Sequence, residues 1–219
     1  MIIVALTDLH GHIGAIERFS EKLKEADVVI LTGDITHFGR RSEANDMVEA
    51  VTGYCGSLFA VPGNCDYPEV GEFLTEKGQN LDSRYIELDE VVLAGVGGSL
   101  QCPGRTPNER SEDEFSRILD GLRDEIPSGK PIIFATHQPP YNTCCDIAKG
   151  GIHVGSRSLR RFVEDVKPVL CLSGHIHEAT GVGRIGDAPV INPGPLFFGG
   201  YARVLCDGSE VTAEVLRAF

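Results

Sequence analysis

The chain has 219 residues, of which 42% are hydrophobic, and this is enough apolar material for one substantial core. Its formal net charge is −12, from 20 basic and 32 acidic residues, which argues against a protein that coats nucleic acid. A phosphorylated substrate is not excluded, because bound metal ions can reverse the field locally. We expect one α/β domain spanning residues 1–219, and the charge argues against a nucleic-acid partner.

No segment of the sequence indicates export or membrane insertion. No charged leader with a cleavage site precedes the first apolar run, and no run of about 18 apolar residues occurs. The seven cysteines are scattered without a disulfide-like spacing, and they contain no Cys-x-x-Cys pair. We therefore expect a protein of the reducing cytoplasm, with no membrane partner and no thiolate zinc site.

The first third of the chain alternates apolar runs with amphipathic stretches. The apolar runs predict buried strands at 2–6, 28–31 and 58–61. A first helix is indicated by apolar residues at helical spacing, which are Ile13, Ile16, Phe19 and Leu23. A second helix is predicted over residues 42–54, with Ser42 as its N-cap. This order is typical of βαβ units and a largely parallel core.

The remainder predicts a hairpin first, formed by residues 85–88 and 91–95 with a turn at 89–90. A Pro/Gly-rich loop (101–110) and a helix capped by Ser111 (111–126) follow. The remaining elements are a strand at 132–135, a helix at 158–166, a strand at 169–172 and short antiparallel strands within 181–217. The loop at 138–155 is long enough to suggest a lid or binding loop. This loop or the tail could equally form a subunit interface, so a homo-oligomer stays open.

Side chains that can bind a metal follow five of the predicted strands. In chain order they are Asp8 and His10, Asp34, Asn64, His137, and His175 with His177. Parallel strands bring their carboxyl ends to one edge of an open α/β sheet, so we expect these seven residues to converge. Carboxylate, imidazole and amide oxygen suit divalent first-row metals such as Mn, Fe, Zn or Ni. Seven ligands suit two ions with a bridging carboxylate, spaced by about 3.5–4 Å as in centres that promote attack on phosphorus.

These motifs resemble, in their order, the five motifs of the calcineurin-like metallophosphoesterases. The motifs are Asp8-x-His10, Gly33-Asp34, Gly63-Asn64, His137 and Gly174-His175-x-His177. The resemblance implies an α/β sandwich of two mixed β-sheets flanked by helices. It also implies one ion bound by Asp8, His10, Asp34 and His177, and a second bound by Asp34, Asn64, His137 and His175. In such centres Asp34 would bridge the ions, and a bridging hydroxide would attack phosphorus.

The third motif departs from the usual family pattern Gly-Asn-His-Asp/Glu, because Cys65 and then Asp66 follow Asn64. The family's histidine helps the leaving group, and a thiol with an ordinary pKa near about 8.5 is a poor substitute for it. In this respect the chain resembles a branch of small bacterial and archaeal phosphodiesterases. We expect a phosphodiesterase acting on a small diester or nucleotide, because a good leaving group needs less help. Its candidate catalytic residues are Asp34, Asn64, Cys65 and Asp66.

Several interpretations stay open at this stage. A phosphomonoesterase or protein phosphatase is one alternative, and a non-catalytic scaffold of the same fold is another, which the complete ligand set disfavours. His37 and His153 could contact substrate or be ordinary loop histidines, and Cys65 could be an inert filler. The segment 192–194 (Asn-Pro-Gly) resembles a closing loop of the family, and a plain turn explains it as well.

Overall fold

The computed structural model describes residues 1–208 and 210–219. The helices are α1 (Ile13–Arg18), α2 (Ser20–Lys24), α3 (Arg41–Thr52), α4 (Pro68–Glu76), α5 (Glu112–Glu125) and α6 (Arg157–Val166). The strands are β1 (Ile2–Leu6), β2 (Val28–Thr32), β3 (Leu58–Val61), β4 (Arg84–Glu87), β5 (Val92–Val96), β6 (Ile132–Thr136), β7 (Ile147–Ala148), β8 (Ile152–His153), β9 (Leu170–Leu172), β10 (Gly181–Ile185), β11 (Ala188–Asn192), β12 (Gly200–Asp207) and β13 (Glu210–Arg217).

The long strands form two mixed sheets, with orders β13-β12-β1-β2-β3 and β10-β11-β9-β6-β5-β4. Strands β1, β2 and β3 are parallel, as are β5, β6, β9 and β11. The strands that flank these parallel groups, β12, β4 and β10, pair antiparallel with their neighbours. The α/β sandwich of two mixed sheets flanked by helices is therefore confirmed.

The alternation of side chains along each strand separates three apolar layers. In β1, Ile3 and Ala5 belong to the core between the two sheets, which also contains Ile133 of β6. The intervening residues of β1 pack with helices α1 to α4 on the outer face of the first sheet. On the outer face of the second sheet, Phe134 packs against Phe162 of α6, with ring centroids 4.6 Å apart. The order of layers is therefore helix, sheet, sheet, helix.

Two local predictions need correction, and one helix was missed. The first predicted helix is divided at the buried Phe19, so that α1 and α2 are two short helices. Helix α3 begins at Arg41 instead of after Ser42, and the side chain of Glu43 accepts a hydrogen bond of 3.0 Å from the Arg40 N–H at this end. Helix α4 was not predicted, although Pro at its first position and apolar residues at helical spacing are both present.

The loop at 138–155 has more structure than its sequence indicates. It contains a short 3₁₀ turn (Cys144–Asp146) and the small hairpin β7–β8. The fully buried carboxylate of Asp146 accepts hydrogen bonds from the N–H groups of Asn142, Thr143 and Gly155, at 2.9–3.0 Å, and contacts Nδ1 of His153 at 2.7 Å. One acidic side chain thus organises the whole loop.

The seven cysteines are free thiols, in agreement with the absence of a disulfide pattern in the sequence. Within residues 1–208 and 210–219, the helices are too short and too polar to cross a membrane.

Candidate metal centre

The predicted metal ligands converge where the carboxyl ends of both sheets meet. The loops after strands β1 to β3 supply Asp8, His10, Asp34 and Asn64. The loops after strands β6 and β9 supply His137, His175 and His177. The expectation of one shared sheet edge was therefore too simple, because two sheets contribute. Backbone hydrogen bonds join the loops within each sheet, from Asp8 N–H to Gly33 C=O and from Gly174 N–H to His137 C=O, both 3.1 Å long.

One side of the centre consists of Asp8, His10 and His177, whose ligand atoms lie within 4.8 Å of one another. The Nε2 atoms of the two histidines are 3.2 Å apart, and Nε2 of His177 is 3.2 Å from Oδ1 of Asp8. The other oxygen of Asp8 accepts hydrogen bonds from Thr7 Oγ1 at 2.9 Å and from the N–H of His175 at 3.2 Å. The carboxylate is thus held with one oxygen directed towards the histidines.

The other side is formed by Asn64, His137 and His175. Oδ1 of Asn64 lies 2.9 Å from Nε2 of His137, and the rings of His137 and His175 have centroids 5.0 Å apart. Nδ1 of His137 is 2.9 Å from the carbonyl oxygen of Thr32. When a cation displaces the proton of Nε2, a hydrogen bond from Nδ1–H to this carbonyl leaves the lone pair of Nε2 directed into the centre.

Asp34 lies between the two sides. Its Oδ2 is 3.6 Å from Nε2 of His10, and its Oδ1 is 3.4 Å from Nε2 of His137. Oδ1 also accepts a hydrogen bond of 2.8 Å from the N–H of Cys65. The side chain is almost fully buried. The two oxygens of one carboxylate therefore face the imidazole nitrogens of two different histidines.

The backbone at four of these residues adopts the left-handed conformation that favours glycine. The φ angles are 52° at Asp8, 46° at His10, 48° at Asp34 and 68° at His175. Such angles in non-glycine residues cost free energy and concentrate at functional sites. The surrounding fold holds this strain, which directs the four side chains to one point.

Two motif glycines are required because other groups come too close for a side chain. A Cβ atom on Gly63 would overlap the backbone and carboxylate of Asp34. A Cβ atom on Gly174 would overlap the hydroxyl of Thr7, which holds the carboxylate of Asp8. The glycines of the third and fifth motifs therefore let the loops of the centre pack closely.

Burial and mutual charge shift the pKa values of these histidines in opposite directions. Burial alone would lower the pKa of His137, but the charge of Asp34 raises it to about 9. Burial, together with the neighbouring His137, lowers the pKa of His175 to about 4. The hydrogen bond to Asp8 raises the pKa of His177, whereas burial lowers that of His10. Divergent pKa values in one small cluster are typical of functional sites.

Cys65 and Asp66, both predicted to be catalytic, occupy different positions. Cys65 lies in the centre, where its Sγ forms a close group with ligand atoms of His10 and Asp34. Burial and the charge of Asp34 raise the pKa of this thiol, so it stays protonated. Asp66 is fully buried, and its oxygens accept hydrogen bonds of 2.7–3.1 Å from the N–H groups of Ile35, Thr36 and Gly63 and from the hydroxyl of Thr36. This geometry gives Asp66 a positioning role between the second and third motifs.

The two predicted substrate contacts also differ in their surroundings. His37 is exposed beside the centre, with its ring centroid 5.5 Å from that of His10. His153 is paired with Asp146 inside the loop and packs near the ring of Tyr141, at 5.8 Å between centroids. The contacts of His153 therefore organise the 138–155 loop, whereas His37 lies beside the candidate ligand His10.

Two further residues support the loop of the fifth motif. The sulfur of Cys102 is 3.7 Å from Nε2 of His175. Asn192 donates a hydrogen bond of 2.9 Å to the carbonyl of Ile176 and accepts one of 2.9 Å from the N–H of Gly194. The Asn-Pro-Gly segment thus fixes the motif as well as forming a turn. The role of Cys102 was missed because it lies in an irregular loop distant in sequence.

The donor set fits divalent first-row ions. Carboxylate oxygens, imidazole nitrogens and an amide oxygen are the ligands that Mn, Fe, Zn and Ni accept, and they are unlike a thiolate zinc site. Three overlapping groups of ligand atoms occur among the described residues, and all three include His10 or Asp34. Acceptor atoms brought this close together, in buried surroundings, are favourable when a cation shares them.

A family model described as calcineurin-like phosphoesterase matches residues 1–179. The chain therefore belongs to the calcineurin-like phosphoesterases, a family of metal-dependent hydrolases of phosphoesters. An uncharacterized protein of Methanocaldococcus jannaschii is 38% identical over 200 residues, which cover 89% of this chain and 88% of that protein. The resemblance inferred from the five motifs is thus confirmed.

Solved structures agree with this assignment at the level of the fold. The protein TT1561 of Thermus thermophilus superposes with a TM-score of 0.76 at 20% identity, covering 100% of this chain and 99% of that one. An archaeal protein described as a novel phosphodiesterase superposes with a TM-score of 0.53 at 16% identity, covering 99% of this chain and 100% of that one. Both share the two-sheet architecture with this protein.

Proposed function

We propose that this protein is a dinuclear metal-dependent phosphodiesterase that hydrolyses a small phosphodiester. The observation that carries the proposal is the position of Asp34. Its Oδ2 faces His10 at 3.6 Å and its Oδ1 faces His137 at 3.4 Å, so one carboxylate can serve two ions. The proposed ligands of one ion are Asp8, His10, Asp34 and His177, and those of the other are Asp34, Asn64, His137 and His175.

Two divalent ions bound there would neutralise the phosphate and lower the pKa of water towards about 7. The chain's own contribution is orientation. Thr7 and the N–H of His175 fix Asp8, and the carbonyl of Thr32 fixes the ring of His137. In hydrolysis the oxygen of water bonds to phosphorus, one P–O bond to the leaving group breaks, and the proton lost by the water passes to the leaving oxygen or, with a good leaving group, to solvent. Holding the ligands rigidly in advance lowers the cost of reorganisation in that step.

The preference for a diester with a good leaving group is supported by Cys65. A general acid is effective when its pKa lies near the working pH. A cysteine side chain is neutral as a thiol and negative as a thiolate, so in neither form is it a cationic proton donor. The thiol therefore cannot give the leaving oxygen the help that an imidazolium would give. Esters whose leaving groups depart without protonation are the substrates that suit this centre.

The proposal is tested by removing metal with a chelator, restoring Mn²⁺, and comparing an aryl phosphodiester with an aryl phosphomonoester. Diester hydrolysis that requires metal and disappears in Asp34→Asn is the expected result. A preference for the monoester would instead indicate a phosphomonoesterase. Inactivity towards both esters, with only traces of Mn²⁺ bound by the native chain, would contradict a catalytic role and leave a scaffold as the better account.

A further inference from the structure

Aromatic side chains surround the outer side of the metal centre next to His10 and His177. We call them the aromatic rim, and they are His12, His37, Phe38, Phe197 and Phe198. On one side, the ring of His37 lies 5.5 Å from that of His10 and 5.0 Å from that of Phe38. On the other, the ring of Phe197 lies 6.0 Å from that of His177 and 4.3 Å from that of Phe198. The rim is thus continuous with the ligands themselves.

The two outermost residues of the rim are unusually accessible for phenylalanine. Phe38 is 47% exposed and Phe198 is 60% exposed. Large apolar side chains left in water near a functional site indicate a surface that binds something. The backbone at Phe38 has φ +57°, which costs free energy for a bulky residue. The fold therefore holds this ring outwards in a backbone conformation that costs free energy.

Both segments of the rim are fixed to the loops that carry the metal ligands. The N–H of Leu196, at the start of the turn that carries Phe197 and Phe198, donates a hydrogen bond of 3.0 Å to the carbonyl of Thr7, next to Asp8. On the other side, the hydroxyl of Thr36 donates a hydrogen bond of 2.7 Å to the buried carboxylate of Asp66 and accepts one of 3.1 Å from the N–H of Gly39. The rim is consequently a rigid surface at a fixed position relative to the centre.

We propose that the aromatic rim binds the base of a nucleoside that is esterified to the phosphate in the centre. The inference rests on the proposed phosphodiesterase function and narrows its substrate to a mononucleotide-type diester. Flat rings, instead of branched aliphatic chains, form the rim, and aromatic faces stack on nucleobases whatever their sequence. The net charge of −12 disfavours a long polynucleotide, so a single nucleotide unit fits better.

The test compares two diesters with the same leaving group, the p-nitrophenyl esters of thymidine 5′-phosphate and of ethyl phosphate, in the presence of Mn²⁺. The native protein is expected to prefer the thymidine ester in kcat/KM. That preference should fall about tenfold in Phe38→Ala or Phe198→Ala, the magnitude of losing one stacked base. Phe38→Leu should behave like Phe38→Ala, because it keeps an apolar side chain but removes the ring.

Leu205→Ala provides a matched control, since Leu205 is 37% exposed and pairs with Ile2 at the opposite end of the first sheet. The Leu205→Ala variant should prefer the thymidine ester over the ethyl ester as strongly as the native protein does. Equal kcat/KM values for the two esters in the native protein would overturn the proposal while leaving the phosphodiesterase intact. A preference that persists in both phenylalanine variants would also overturn the proposal. If the native protein sediments as a dimer and these variants sediment as monomers, the rim is instead a subunit interface.

An equilibrium measurement separates this inference from catalysis. Calorimetric binding of thymidine 5′-monophosphate and of ethyl phosphate to the Mn²⁺-loaded protein needs no turnover. Tighter binding of the nucleotide, reduced about tenfold by Phe198→Ala, is expected even if neither diester is hydrolysed. Equal affinities for the two ligands would contradict base stacking whatever the catalytic activity.

Discussion

Cys102 shows how a residue outside the metal-ligand motifs can control one of them. The thiol of Cys102 can donate its hydrogen to the carbonyl oxygen of Leu100, which lies 3.4 Å from the sulfur. The lone pairs of the sulfur then remain available to accept a hydrogen from Nε2 of His175, which lies 3.7 Å away. In the His175 tautomer that carries its hydrogen on Nε2, this contact is a hydrogen bond and Nδ1 is left available to an ion. Burial raises the pKa of Cys102, which keeps it a neutral thiol.

Replacing Cys102 by Ala should therefore weaken Mn²⁺ binding about 10- to 100-fold, the usual effect of losing a hydrogen bond to a metal-bound histidine. Calorimetric titration of the protein with Mn²⁺ measures this change directly. Cys102→Ser should retain much of the affinity, because its hydroxyl oxygen is also an acceptor. Cys144→Ala is the control for removal of a thiol, since Cys144 is exposed. Unchanged affinity in Cys102→Ala would show that His175 is oriented by its ring packing alone.

Gly174 also affects the fifth motif, because its lack of a side chain leaves room for the hydroxyl of Thr7. In Gly174→Ala the added methyl group would overlap Thr7 Oγ1 and push apart the loops that carry Asp8 and His175. We expect this variant to lose Mn²⁺ binding while circular dichroism remains close to that of the native protein. Gly121→Ala in α5 is the matched control, because a Cβ atom there has no neighbour within 4 Å. That control should gain up to about 1 kcal/mol of stability, as alanine does over glycine in helices.

At the scale of elements, α5 and α6 are joined by a carboxylate that was not anticipated. Glu112, the first residue of α5, accepts hydrogen bonds from the N–H groups of Arg157 and Ser158 at 2.8 and 3.0 Å, and from the hydroxyl of Ser156 at 2.9 Å. It thus caps the first turn of α6 from another helix. Burial alone would raise the pKa of Glu112, but these hydrogen bonds lower it below its ordinary value.

We expect Glu112→Gln to lower the free energy of unfolding by about 1 kcal/mol at pH 7, a typical value for a helix cap. Because the folded-state pKa is lowered, this stabilisation is complete above the unfolded pKa and disappears as the pH falls below about 4. Urea denaturation of both proteins at pH 7 and at pH 3 measures the difference. Asp113→Asn serves as the neighbouring control. A difference that persists undiminished at pH 3 would show that charge is not involved.

Local patterns were sufficient for the strands and for most of the helices, because periodicity and caps are encoded within a few residues. Ser111, for instance, was predicted as the cap of α5, and its hydroxyl accepts a hydrogen bond from Glu114 N–H at 3.2 Å. The break at Phe19 and the order inside the 138–155 loop were not predicted, since they depend on tertiary contacts. Asp146 in particular resembles any loop aspartate until the fold buries it.

At the scale of the whole molecule, the centre connects the two sheets, because each sheet contributes ligands to it. The convergence of the seven candidate ligands was predictable, since each follows an apolar run at a place where sites form. Their division between two sheets was not contained in any local pattern, because it depends on which strands pair. The resemblance to the family, confirmed over residues 1–179, supplied the two-sheet architecture but not this division of the candidate ligands.

Since ligands from both sheets would share the ions, metal binding should stabilise the entire fold. At 100 times the dissociation constant, Mn²⁺ is expected to add about 2.7 kcal/mol, which corresponds to a rise in Tm of roughly 5–10 °C. Thermal denaturation with Mn²⁺ and with EDTA measures this shift. Asp34→Asn should show a smaller rise. Identical transitions in the two conditions would contradict the proposed role of the centre.

The pairing of β12 with β1 has a consequence for how the protein is made. Ile2 pairs with Leu205, and Ile3 with Val204, so one edge of β1 finds its partner only after about 200 residues have left the ribosome. Until then that edge offers unpaired N–H and C=O groups to other nascent chains. Contacts so distant in sequence also slow the search for the native fold. The step that completes the first sheet is therefore expected to limit the rate of folding.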